Sequence, residues 1–284
     1  MSNFWQRTIT GILFVVVLIG ATLFSEWSFL LLLFAINILG LWEYCNLFRA
    51  KEYAPHKNVV LILGTVIFLL AASFYNPLMS LEILGQKSGL FFPLLLTPIL
   101  LTLFIVELYN KEHSPFQRAA VGITGLIYIP ISLSYLSRIP YLYGGDMYKN
   151  EYEAYIPISI FILIWSSDTF AYLAGRTFGK HKLFPSVSPK KTWEGFIGGI
   201  IGTIGISILL YYSFGIFSIP VWIGLAIIIS VFGLWGDLIQ SMLKRSLELK
   251  DSGTILPGHG GILDRFDSLL FCIPFVAAYL YFVV

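Results

Sequence analysis

Charge is what this sequence has least of. Asp, Glu, Lys and Arg make up 12% of its 284 residues, about half the roughly 25% of an ordinary soluble domain. That leaves too little solvated side chain to cover a soluble globule. Cysteine is almost as scarce: there are two, Cys45 and Cys272, far apart and both inside apolar runs. Neither a disulfide framework nor a cysteine-based zinc site fits that placement, and small core residues do. A Walker A loop, a nucleophile elbow and a paired Ser/His set are all missing, so a protein nucleophile is not expected. No internal repeat, low-complexity segment or soluble domain stands out. No cleavable signal peptide is expected either, because the apolar run that begins near Ile9 leads to no small-residue cleavage site.

What is present is apolar length. Hydrophobic residues are 57% of the chain, and a helix needs roughly 20 of them to cross about 30 Å of hydrocarbon. On that ruler the chain is an all-α polytopic membrane protein with about nine spans. They fall near Ile9–Phe24, Trp27–Phe48, Asn58–Tyr75, Leu90–Tyr109, Ala119–Ile139, Tyr155–Thr177, Gly195–Phe214, Ile219–Leu238 and Phe266–Val284. The second carries Asn37 and Glu43, and Glu43 lies close enough to one end to reach an interface.

The basic residues test this count. With the N-terminus in the cytoplasm, fifteen of the eighteen Lys and Arg fall on the cytoplasmic side. Only Lys87, Arg138 and Lys149 fall outside, as the positive-inside rule requires. One missed span would scramble that segregation. The whole chain reads as one membrane domain. Residues 1–120 are spans with short connectors and no motif, expected to be structural or dimer-forming. Residues 155–284 carry the ionisable groups, and the polar Met147–Glu153 stretch between the two parts suggests no chemistry.

The most polar and glycine-punctuated run is Ser241–Asp267, between the last two spans. Asp237, Ser241, Lys244 and Arg245 share one face if the eighth helix continues beyond the membrane. A carboxylate, a hydroxyl and two cations there suit a metal ion beside phosphate oxygens; the plain alternative is basic residues snorkelling below a span. Lys250 and Asp251 follow, then the turn Pro257-Gly258-His259-Gly260-Gly261. Its glycines let backbone N–H groups approach an anion closely. Asp264 and Asp267, three apart and separated by Arg265, open the last helix. Acidic residues there also favour the helix dipole. With Asp237 they make three carboxylates, enough for a hard divalent cation such as Mg2+ completed by phosphate oxygens.

A second polar region precedes it. Asp168, Tyr172 and Arg176 lie along one helical face. Asp168, some eight residues inside its span, marks a site or a structural ion pair. Ser188-Pro189-Lys190-Lys191-Thr192-Trp193-Glu194-Gly195 then leads into the seventh span, either as a membrane anchor or as part of the site.

Taken together, the run from Ser241 through Lys244-Arg245, Lys250-Asp251 and the Pro-Gly-His-Gly-Gly turn to Asp264-Arg265 and Asp267 closely resembles the signature of the phosphatidate cytidylyltransferases, or CDP-diacylglycerol synthases. The Asp168–Arg176 and Ser188–Gly195 blocks resemble that family's other recurrent motifs. The motifs cover about residues 155–284. The resemblance implies that CTP and phosphatidate give CDP-diacylglycerol and pyrophosphate at the cytoplasmic face of a bacterial inner membrane, in phospholipid biosynthesis. It implies Asp237, Asp264 and Asp267 as metal ligands, for Mg2+ with room for a second cation, divalent or K+. Lys190, Lys191, Lys244, Arg245 and His259 would offset phosphate charge, and Asp168 and Arg176 would order the site. Lys250 and Asp251 would position the nucleotide, with Ser188, Thr192, Ser241, Gly260, Gly261 and Arg265 completing the substrate-binding set. Family members resemble homodimers, and no nucleic-acid partner is expected. A polyprenol kinase should lack the full Ser241–Asp267 signature. A secondary transporter should place its ionisable groups near mid-bilayer, often with a repeat.

Overall fold

The apolar runs fold as helices. The structure, a computed structural model, describes residues 3–75, 88–110, 112–143, 151–258 and 260–284. Lys87, Lys111, Lys149, His259 and the Met147–Asn150 part of the polar loop lie outside these. The order is α1 (Asn3–Phe24), α2 (Glu26–Leu47), α3 (Lys57–Tyr75), α4 (Ser88–Tyr109), α5 (Pro115–Leu126) and α6 (Ser132–Arg138), then α7 (Tyr155–Phe178). A hairpin of β1 (Lys182–Phe184) and β2 (Ser188–Thr192) follows, then α8 (Trp193–Phe214), α9 (Ile219–Ser246) and α10 (Leu263–Val283).

Among the described residues seven helical runs are long and apolar enough to cross a bilayer, one of them the Pro115–Tyr141 rod that includes α5 and α6. Two shorter apolar helices, Lys57–Ser73 and Leu94–Tyr109, fall where the third and fourth spans are expected. The outward faces are greasy, with Phe24, Leu108 and Phe282 well exposed. Such side chains suit lipid as the surrounding solvent.

Contacts gather the helices into two compact units. The first comprises Met1–Arg138 and Asp251–Arg265. Ser25 and Ser28 form a capping box that starts α2. Helices pack closely where a residue is small, as at Gly122 against Leu103 and Val60. Glu107 and Arg118, at 2.9 Å, tie α4 to α5. Between α5 and α6 the rod widens into a π turn, Ile127–Ile131, around Pro130. Proline has no N–H for the regular ladder, and a π turn absorbs that defect without ending the rod.

The second unit comprises Ile139–Lys250 and Phe266–Val284. Here α7 and α8 meet through small residues. Gly195 has Ala171 O and Gly175 Cα about where a Cβ would stand, at 2.8 and 3.1 Å, and Gly199 faces the Ala171 methyl. Close approach of this kind replaces hydrophobic driving force inside lipid. Phe232 of α9 stacks on Phe275 of α10, centroids 3.6 Å apart. Helix α9 runs to Ser246, eight residues beyond the expected end of its span at Leu238. At about 1.5 Å per residue its 28 residues reach about 42 Å, more than the hydrocarbon thickness. This extension carries Ser241, Lys244 and Arg245.

Candidate active site

The basic segment after α7 is a hairpin rather than an open loop. Strands β1 and β2 pair antiparallel, with Lys182 opposite Thr192 and Phe184 opposite Ser188. Its base is fastened to α8 twice. The Gly195 N–H donates to Thr192 Oγ1 at 3.2 Å, an N-cap of the kind worth about 1 kcal/mol. Glu194 accepts from the backbone N–H groups of Lys180 and His181, at 3.1 and 3.2 Å, and pairs with His181 Nδ1 at 2.6 Å. Successive strand side chains point to opposite sides, so Lys190 and Lys191 diverge. Lys190 is exposed, while Lys191 forms an ion pair with Asp237 of α9.

Around that pair the second unit gathers its carboxylates. Asp168 of α7 feels the charges of Lys191 and Asp237. Asp267 of α10 feels those of Asp237, Lys244 and Asp168. The Ser241 hydroxyl, one turn below Asp237, donates to its Oδ1 at 3.3 Å. The charges of three carboxylates and two lysines therefore act on one another, and Lys191 and Asp237 are in direct contact, on elements set by the α7–α8 packing and the α9–α10 contact. Such a cluster favours a cation and, through its lysines, phosphate oxygens.

The other half of the sequence-predicted site lies in the first unit. Gly258 and Gly260 have φ of 78° and 86°, the left-handed region that favours glycine. The Leu256 N–H donates to Gly260 O at 3.0 Å and closes the turn. Asp264 Oδ2 accepts from the Ser252 and Gly261 N–H groups at 2.8 and 3.0 Å. In the same unit Arg7 of α1 packs against the turn, its Cγ 2.9 Å from where a Gly258 Cβ would stand.

Of the remaining expected residues, Arg176, Lys250, Asp251 and Arg265 are exposed, and Ser188 is half-buried at the start of β2. Arg245 Nη1 donates to Leu249 O at 3.1 Å, closing the end of α9. Among the described residues no three His, Cys, Asp or Glu side chains are set to hold a metal ion. The carboxylates still fit Mg2+ chemically. It prefers hard oxygens and binds through one or two carboxylates plus substrate phosphates, not an all-protein cage.

Two contributors to this architecture carry no role in the sequence reading. Glu194 stands inside the quoted Ser188–Gly195 block, yet its clamp on His181 shows only in three dimensions. Glu43 accepts from the Ser252 hydroxyl at 3.1 Å and the Leu263 N–H at 2.7 Å. Its signal was a carboxylate inside a span, which by default marks a site.

The fold defines an integral membrane protein with opposite charges gathered in its second unit. The chain belongs to the Cytidylyltransferase family, whose sequence profile it matches over residues 5–283, and is thus a nucleotidyltransferase. It is 35% identical to the phosphatidate cytidylyltransferase of Bacillus subtilis, over 97% of both chains. It is 33% identical to that of Haemophilus influenzae, over 98% of this chain and 99% of the relative. It is 34% identical to that of Staphylococcus saprophyticus, over 94% and 95%.

Proposed function

We propose that this chain transfers the cytidylyl group of CTP to phosphatidate, making CDP-diacylglycerol and pyrophosphate. The observation that carries the reading is the Lys191–Asp237 pair seated among Asp168, Asp267 and Lys244, in a chain whose relatives bear that enzyme's name. A phosphate oxygen of the lipid forms the new bond to the α-phosphorus of CTP. The bond from that phosphorus to the bridging oxygen breaks, and pyrophosphate leaves with its electrons. The lipid supplies the nucleophile, so the chain's task is positioning and charge neutralisation.

Lys191 and Lys244 neutralise triphosphate oxygens at the cluster, with Lys190 and Arg245 adding positive charge for the second anion. Asp237 and Asp267 hold Mg2+, and Asp168 keeps Lys191 oriented. Asp264 shapes the glycine turn, since its Oδ2 already receives two backbone N–H groups. Bound Mg2+ supplies charge neutralisation at the phosphate oxygens. A second cation, divalent or K+, belongs to the same proposal, as does a homodimer. The segregation of basic residues supports an N-terminus and active site on the cytoplasmic side of a bacterial inner membrane.

The test is to incubate purified protein with radiolabelled CTP, phosphatidate and Mg2+. A labelled lipid is expected. EDTA abolishes its formation and excess Mg2+ restores it; full turnover in EDTA would remove the Mg2+ assignment. Absence of labelled lipid with Mg2+ present would overturn the reaction. Sidedness has its own check. A cysteine introduced at the exposed Lys250 (Lys250→Cys) should react with an impermeant thiol reagent only in inside-out vesicles.

A further inference from the structure

The strongest unassigned feature is a carboxylate of the second span that reaches the glycine turn. Glu43 of α2 is 1% exposed and 209 residues before Ser252 in sequence, yet its Oε2 receives both the Ser252 hydroxyl and the Leu263 N–H. Leu263 opens α10, so one of that helix's four unpaired N–H groups is satisfied by a side chain from another helix. Ser252 is held at two points, its hydroxyl by Glu43 and its N–H by Asp264. Residues 252–263 thereby form a loop whose two ends converge on one carboxylate, with the Pro257–Gly260 turn at its tip. The fit is close enough that a Cβ on Gly253 or on Gly261 would run into Glu43 Oε1. Those two glycines make room for this side chain.

We infer that Glu43 is a positioning residue for the reaction, fixing the shape of the 252–263 loop and hence of its glycine turn. The inference rests on the proposed cytidylyl transfer. It gives the motif-free N-terminal half a part in function, because this half supplies the anchor of a loop belonging to the signature. A carboxylate suits the task. Its Oε2 accepts two hydrogen bonds at once, and burial shields them from competing water.

Full-length wild type, Glu43→Ala, Glu43→Gln and Ser252→Ala are compared in detergent by kinetics with CTP and phosphatidate and by backbone hydrogen exchange. Glu43→Ala should lower kcat/KM by about ten- to a hundredfold, the scale of losing two buried hydrogen bonds. Exchange should quicken at 252–263 and stay unchanged in α7, α8 and α9. Glu43→Gln keeps an acceptor oxygen and should recover most of the activity. Ser252→Ala loses one of the two bonds and should fall by about three- to tenfold. Wild-type kinetics in folded Glu43→Ala would overturn the inference. So would a loss that follows global unfolding, with Gln giving no rescue and Ser252→Ala silent. If Glu43→Ala does not fold, Ser252→Ala decides alone by the same two readouts. If wild type transfers no cytidylyl group, the proposed reaction falls, while hydrogen exchange still shows whether Glu43 holds the loop.

Discussion

Asp267→Asn is expected to lower CTP-dependent conversion of phosphatidate by about a thousandfold while leaving the protein folded in detergent, with Asp237→Asn close behind. The size follows from removing preorganised charge from a site where charge moves, which typically costs a hundred- to a thousandfold. Asn is nearly isosteric with Asp, so packing is preserved and only charge and one acceptor are lost. Asp267 stands where the charges of Asp237, Asp168 and Lys244 meet. On the proposed Mg2+ assignment, neutralising it removes a cation-holding oxygen, and it leaves Lys244 with one carboxylate fewer. Asp237→Asn additionally releases Lys191 from its ion pair. Melting temperature and elution volume report folding, and labelled lipid reports activity. Full activity in both variants would sink the metal assignment. Asp264→Asn should also abolish turnover, but through the turn, because Oδ2 accepts from Ser252 and Gly261.

The helices were legible in the sequence because lipid imposes one simple demand, that backbone polar groups be satisfied within long apolar helices. Each of the nine expected runs coincides with a helix or helical rod. The ends were less legible. Helix α9 continues to Ser246 because Ser241, Lys244 and Arg245 are adequate helix formers outside the bilayer, where hydropathy no longer marks a boundary. The turn at Ile127–Ile131 was hidden because Pro130 lies in an otherwise uniform apolar run. The β1–β2 hairpin was not legible, since strands of three and five residues carry no periodicity of their own. Its order comes from Thr192 and Glu194 at the start of α8.

Within the candidate site, the aspartates and lysines were singled out by residue type and by resemblance, but the Lys191–Asp237 ion pair was not. Asp168 feels the charges of Lys191 and Asp237, which stand on separate elements that no local spacing joins. Glu43 shows the same limit at longer range. Its partners Ser252 and Leu263 are more than two hundred residues away, and only folding reveals that it holds a loop.

Gly236→Ala should slow the enzyme by about a hundredfold without touching a single charge. A Cβ at this position would stand 2.6 Å from Asp267 O, 2.8 Å from Phe271 Cβ and 3.1 Å from Ser268 Cα. Two of these are backbone atoms and the third is a Cβ, so no flexible side chain can swing aside. Helices α9 and α10 must move apart, and they must do so beside Asp237 and at Asp267 itself. Overpacking of this sort costs about 1–3 kcal/mol, which lowers the melting temperature but leaves most of the protein folded. The effect on turnover should be larger, because displacing a reacting group by about 1 Å can cost a hundredfold. Gly205→Ala is the control, since a Cβ there has nothing within 4 Å. It should keep wild-type kcat and KM. A Gly236→Ala protein as active as Gly205→Ala would show that the α9–α10 contact does not set the spacing of the two carboxylates. The expected outcome, about a hundredfold loss in a folded protein with every ionisable group intact, would show that the distance between these two carboxylates, and not their presence alone, sets the rate.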